Sequence, residues 1–256
     1  MLKQETRRRV NVEKIRIIDL TLELEPSPND YLEHPEKYLP PTQMDFPAIL
    51  QRTEIYPIWI PNWESPKPLD GRRVTRLHAN LHAYTHSETP SHQVKNGKFI
   101  HEYPIDRWIA KACVMNFSDK PLKSKIAVQD LEKQWVDGCD GIIIRTDWGK
   151  KRGTKGVMGA KKEDFEESPK LTPEAVRWVI AKKPKLYTDD FDVVPRPPGK
   201  RVFFEADICH VMNITNVDQI KKKVVTLIAL PLKMRRTNAG EGVEATLTRA
   251  VAIEED

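Results

Sequence analysis

Residues 141–148 read GIIIRTDW, with three isoleucines in succession. A continuous β-branched run bounded by turn-forming residues reads as a buried strand, and the rest of the chain has to enclose it. Further stretches of the same kind flank it. The segment IRIIDLTLEL (15–24) reads as a strand ended by EPSPND, and TRLHANLHAYTH (75–86) alternates like a strand. IDRWIAKACVMNF (105–117) starts as a short helix and continues as a buried strand. VVTLIALPLKM (224–234) and EATLTRAVAI (244–253) close the chain as strands around a TNAGEG turn. Between them, AVQDLEKQWVDGCD (127–140) has helical periodicity and stops at Gly138. SPKLTPEAVRWVIAKK (168–183) carries a helix start, with Thr172 as N-cap, Pro173 in the first helical position and Glu174 in the first turn. Strands and helices interleave without a linker, and 256 residues suit a single α/β domain. Residues 26–70 are proline-rich with scattered aromatics and read as a long loop or arm that covers or lines something. Tyr56, Trp59 and Trp63 are its candidates for a pocket wall, with packing against the core as the alternative.

Composition narrows the partners. The net charge is +5, with Lys and Arg concentrated at 149–162, 221–223 and 233–236. The glycine-rich 149–162 stretch has no interleaved aromatics, so it reads as a solvated loop and no nucleic-acid partner is expected. An anionic small substrate suits the charge. No run approaches the ~18 apolar residues of a membrane span, and the basic N-terminus lacks the apolar stretch of a secretory signal. No membrane association and a cytoplasmic location are the expectations. The three cysteines, Cys113, Cys139 and Cys209, form no C-x-x-C pair and read as free, buried thiols.

The segment LHAYTHSETPSHQV (81–94) holds three of the seven histidines, His82, His86 and His92, together with Glu88. In an extended strand, residues four apart are separated by about 13 Å. His82 and His86 would then be unable to share an ion, since metal–nitrogen bonds are about 2.1 Å. Either these residues are the polar face of a strand or the backbone bends between 82 and 86. The Ser, Thr and Pro content of THSETPSH favours the bend. With a bend, His82, His86 and Glu88 make a two-histidine, one-carboxylate site with open positions, suited to Zn²⁺, Mn²⁺ or Fe²⁺. His78 and His101 read as structural or solvated.

At this motif the chain resembles the cyclase family, which includes bacterial kynurenine formamidase and isatin hydrolase. The family pattern is H-x-G-T-H-x-D-x-P-x-H, and the chain has His82, Thr85, His86, Pro90 and His92 in place. Tyr84 stands for the glycine and Glu88 for the aspartate. IRIIDLTLEL, GIIIRTDW, DFEESPKLTPEAVRWV and the closing strands also look like family segments, so the resemblance spans roughly residues 15–253. It implies a single α/β domain over 1–256, with mixed sheets, a barrel-like β core and flanking helices (the swivelling β/β/α type). It implies one divalent ion, Zn²⁺ or Mn²⁺ ahead of Fe²⁺, on His82, His86 and Glu88, with His92 as the proton-transfer residue. It also implies a homodimer or homotetramer.

The second half of the pattern departs further. NITNV (213–217) aligns with the family's Asn-Leu-x-Asn-Leu segment, which puts Met212 at a glutamate position and Lys200 at a histidine position. A second metal ion is therefore not expected. The Lys200 ammonium is read as sitting where a second cation would, offsetting Glu88 or holding a substrate carboxylate; a surface lysine is the alternative. Met212 reads as core. His210, Glu205 and Asp207 lie nearby without matching, and the D-x-P-S-x-D segment is reduced to DFDVVP (190–195). The function implied is a metal-dependent hydrolase of a small amide, formamide, lactam or lactone. His92 serves as general base, and Tyr84, Lys200, Trp59 and Trp63 are the substrate-binding candidates. Two alternatives stay open: a metal-dependent lyase, cyclase or dehydratase, and an inactive member that binds a ligand.

Overall fold

The computed structural model describes residues 15–27, 29, 33–34, 52–60, 72–157, 160–197 and 199–255. In chain order the strands are β1 (Ile15–Asp19), β2 (Glu54–Ile60), β3 (Arg72–His78), β4 (His86–Glu88), β5 (Ile109–Asn116) and β6 (Lys125–Ile126). They continue with β7 (Gly141–Arg145), β8 (Lys170–Leu171), β9 (Leu186–Asp189), β10 (Cys209–Met212), β11 (Val224–Pro231) and β12 (Ala245–Glu255). The helices are α1 (Val128–Glu132), α2 (Trp148–Arg152), α3 (Lys162–Glu167), α4 (Pro173–Lys182) and α5 (Arg201–Glu205).

Strands β12, β11, β5, β7, β9, β10 and β4 pair in that order, and β4 pairs back onto β12. The result is one α/β domain around a closed, seven-stranded mixed barrel, with β1 added outside β12. The four strands β5, β7, β9 and β10 run parallel, and the remaining pairings of the barrel are antiparallel. Parallel strands need cover on both faces, which explains the isoleucine run. Ile143 joins a cluster with Ala110, Ala112, Leu186, Val211 and Ala250. Ile142 and Ile144 join a second cluster with Ala175, Val176 and Val179 of α4. All three isoleucines are fully buried. Gly141 is required by a close approach, because a Cβ there would meet the Ala110 Cβ at 2.7 Å.

The start of α4 is as expected: the Thr172 hydroxyl accepts from the Ala175 N–H at 3.1 Å. The three cysteines are free and buried. Four expectations need correction. The strand expected over 75–86 stops at His78, and the chain turns through 79–85 before β4. The helix expected over 127–140 is reduced to α1. Beyond it, Gln134 is taken up by the end of β5: its side chain accepts from Asn116 N at 2.7 Å and donates to Asn116 O at 3.0 Å. The 26–70 arm contains β2, a full partner of β3 with Glu54 opposite His78. The basic loop at 149–162 is helical through Arg152. Among the described residues no helix is long and apolar enough to cross a membrane.

Candidate metal centre

The bend after β3 is built from unusual backbone and buried hydrogen bonds. Tyr84 adopts a left-handed conformation, φ 52°, which costs a bulky L-residue about 1–2 kcal/mol. This is the glycine position of the motif, and the phenol offsets part of the strain by donating to the Glu25 carbonyl at 2.9 Å. The buried Thr85 hydroxyl accepts from Leu22 N at 2.8 Å and donates to Asn213 O at 2.7 Å. Asn213, itself at φ 56°, donates through its amide to Tyr84 O at 3.1 Å. Strand β4 follows at once and carries His86 and Glu88 on one face, since side chains alternate along a strand. Thr89 then holds the segment to the start of β12, its N–H and hydroxyl both donating to Glu244 O at 2.9 Å. Pro90 opens a single 3₁₀ turn, Pro90–His92, that brings His92 back toward the site.

The outcome is convergence on one atom, Oε1 of Glu88. His82 Nδ1 stands 3.0 Å from it, His86 Nε2 3.2 Å and His92 Nε2 3.9 Å. Donors around a tetrahedral ion with ~2.1 Å bonds are about 3.4 Å apart, so the spacing fits a shared cation. Among the described residues, two donor groups are close enough to hold one: His82, His86 and Glu88, and His82, His92 and Glu244. His86 is preset for the task. Its Nδ1–H donates to Tyr84 O at 2.8 Å, which fixes the tautomer and leaves Nε2 as the lone-pair nitrogen.

The other Glu88 oxygen faces the interior. Lys200 Nζ is 3.8 Å from Oε2 and His210 Nδ1 is 3.9 Å from it. His210 Nε2 in turn is 3.4 Å from Asp189 Oδ2. Glu88 Oε2, both His210 ring nitrogens and both Asp189 oxygens are buried without a hydrogen-bond partner, a polar cluster of the kind that occurs at functional sites. Lys200 is 8% exposed, so it is not a surface lysine. Its ammonium also touches the Met212 sulfur, and Met212 is buried as expected.

Charge follows the geometry. Burial opposes ionisation of Glu88, but Lys200, His82 and His86 together hold its carboxyl well below the usual range. Burial alone would lower His82; hydrogen bonds to Glu244 and Glu88 overcome it and push the imidazole up to about 9. Burial dominates at His92 and, with the repulsion of His82 and Lys200, pushes it down to about 4. Burial also lowers His86. Near neutral pH, His92 is therefore an uncharged acceptor beside a carboxylate.

Of the remaining sequence candidates, Tyr84 lies at the bend with its hydroxyl turned to Glu25. Trp59 is on β2, its main chain opposite Arg73. Trp63 lies outside the described residues. His78 pairs with Glu54 at 3.7 Å and His101 stacks on Phe99, so neither joins the cluster. Asp190, from the reduced DFDVVP segment, accepts from Thr146 N, Thr146 Oγ1 and Asp147 N and so holds the turn after β7. Sequence reasoning missed Glu244 and Asp189 and set His210 aside. Their roles come from strand register, with Glu88 opposite His210 on β10 and Ala245 on β12. A separate cavity of about 790 Å³ opens between β1 and the 147–156 segment. None of the clustered histidines lines it, and several of its charges are paired, as in Arg249–Asp19 and Lys150–Asp218.

The sequence pattern of the Cyclase family matches residues 18–191. The chain belongs to the Cyclase family. Among its relatives is the isatin hydrolase of Roseibium aggregatum, 25% identical over 177 residues, covering 60% of this chain and 67% of the relative. Another is the kynurenine formamidase of Bacillus thuringiensis subsp. konkukian, 24% identical over 162 residues, covering 63% and 73%. The fold of this Cyclase member is that of a crystal structure of an isatin hydrolase bound to the product analogue thioisatinate. The TM-score is 0.70 at 19% identity, with 95% of this chain and 94% of the other covered.

Proposed function

We propose that this Cyclase family member is a metal-dependent hydrolase of a small amide, formamide, lactam or lactone. The observation that carries the reading is the convergence of three imidazoles on one oxygen of Glu88. His82, His86 and Glu88 would hold one divalent ion, and their donor set suits Zn²⁺ or Mn²⁺ first and Fe²⁺ next. Such an ion supplies polarisation of the substrate carbonyl and a lowered pKa for water. The chain's own residues do the rest. His92 Nε2 accepts a proton from the water that adds to the carbonyl carbon. The same nitrogen delivers it to the leaving nitrogen or oxygen as the C–N or C–O bond breaks. Lys200 balances the Glu88 charge from behind, and its burial suits this role better than capture of a substrate carboxylate. Tyr84, Trp59 and Trp63 remain the substrate-wall candidates. The names of the relatives support the substrate class, since isatin is a lactam and a formamidase cleaves a formamide. A homodimer or homotetramer is part of the reading. The β2–β3 hairpin exposes Tyr56, Val74 and Leu77, and sizing by light scattering tests it.

The deciding experiment incubates Zn²⁺- or Mn²⁺-loaded protein with isatin and N-formylkynurenine in ¹⁸O-labelled water. Hydrolysis places the label in the carboxylate released from at least one of them, and His86→Ala removes both the metal and the turnover. Unlabelled product would turn the assignment toward a lyase or cyclase. A protein that takes up no transition metal and performs its role as His86→Ala would be a ligand-binding member.

A further inference from the structure

His82 stands between two carboxylates. Its Nδ1 faces Glu88 Oε1 at 3.0 Å, on the side where His86 Nε2 also points, and its Nε2 faces Glu244 Oε1 at 3.3 Å. An imidazole that ligates a cation offers one nitrogen and keeps its N–H on the other. A carboxylate on that N–H fixes the tautomer and the ring plane and raises the basicity of the ligating nitrogen. Glu244 is well placed to be that carboxylate. It immediately precedes Ala245, which lies opposite Glu88 in the ladder between β12 and β4. Its carbonyl is held by the Thr89 N–H and hydroxyl. The backbone that carries Glu244 is thus tied directly to the strand that carries Glu88.

We propose that Glu244 is a positioning residue: it accepts the Nε2–H of His82 and commits that imidazole to bind the cation through Nδ1. The inference rests on the reading that His82, His86 and Glu88 hold a divalent ion, and it gives Glu244 a role that the motif does not contain. It also decides between the two overlapping donor groups. Glu244 orients a ligand rather than joining His92 and His82 as one.

The test uses full-length protein freed of metal with a chelator, checked for native circular dichroism, and titrated with Zn²⁺ against a chromogenic competitor. Wild type takes up one equivalent. Glu244→Ala takes up one equivalent with about 10- to 100-fold weaker affinity. Glu244→Gln, whose amide oxygen still accepts the N–H, recovers much of that loss. In Co²⁺-loaded protein, proton NMR shows a shifted, exchangeable imidazole N–H that His82→Gln removes and that exchanges faster in Glu244→Ala. Equal Zn²⁺ affinity in wild type and Glu244→Ala overturns the role of Glu244 while the metal site stands. Glu244→Gln as weak as Glu244→Ala, with an altered Co²⁺ visible spectrum, makes Glu244 a direct ligand and also overturns it. A folded wild type that binds no Zn²⁺ overturns the metal reading itself.

Discussion

At the scale of single residues, the metal-free cluster is held together by protons. His82 carries one that Glu244 and Glu88 retain up to about pH 9, against the opposing effect of burial. In the unfolded chain the same group releases it near 6.5. The folded-state pKa is the higher one, so the contribution to stability is complete below about pH 6.5 and is lost as pH rises through 9. Thermal melts of chelator-treated protein should therefore show falling stability over that window, by up to about 3 kcal/mol, and His82→Gln should flatten the slope. Zn²⁺ displaces the same proton, so its affinity should rise across the window, as chelator competition at several pH values would register. Lys200 is the buried ammonium partner behind Glu88, 3.8 Å from its Oε2. Removing one member of a buried pair strands the other and costs about 3–5 kcal/mol. Lys200→Met should lower the stability of metal-free protein by that order in urea unfolding, whereas the same change at a surface lysine would be nearly neutral.

At the scale of elements, the decisive piece is the seven-residue turn between β3 and β4, because it converts residues four apart into neighbours. Thr85 pins it with two buried hydrogen bonds, to Leu22 and to Asn213. Thr85→Val keeps the shape but leaves both partners unsatisfied, at about 1–3 kcal/mol each. The variant should unfold earlier in denaturant and bind Zn²⁺ more weakly, because His82 and His86 are then free to separate. Much of this element was legible beforehand. The Ser, Thr and Pro of THSETPSH favoured a bend, and the start of α4 could be read from Thr172–Pro173. What local pattern cannot carry is register. Glu244 lies 156 residues from Glu88, and His210 lies on a strand whose pairing with β4 no spacing rule reveals. The expected strand over 75–86 was too long for a related reason. Its alternation is real, but the hydrogen bonds of Tyr84 and Thr85 to distant segments outweigh it.

At the scale of the molecule, the barrel explains why the β7 run is apolar without a break. Its alternate isoleucines serve two different cores, with Ile143 on one side and Ile142 and Ile144 on the other. Ile143→Ala should cost about 2–5 kcal/mol, read as a lower urea midpoint with an unchanged slope, since alanine-rich neighbours such as Ala110 and Ala250 cannot easily collapse into the space. Sequence reading anticipated an α/β domain from the interleaved elements, and the barrel-like core came from the family resemblance. Closure itself depends on a three-residue strand too short to be recognised by periodicity.

That short strand has a consequence. His86 and Glu88 sit in the seam where the sheet meets itself, hydrogen-bonded to β10 on one side and β12 on the other. Whatever clasps those two side chains also clasps the barrel's last stave. Loading with Zn²⁺ should accordingly slow deuterium uptake at the amides of 86–88 and at their neighbours in 210–212 and 245–247. Staves remote from the seam, such as 142–144, should be far less affected, so that occupancy is felt as mechanical closure well beyond the ligands themselves.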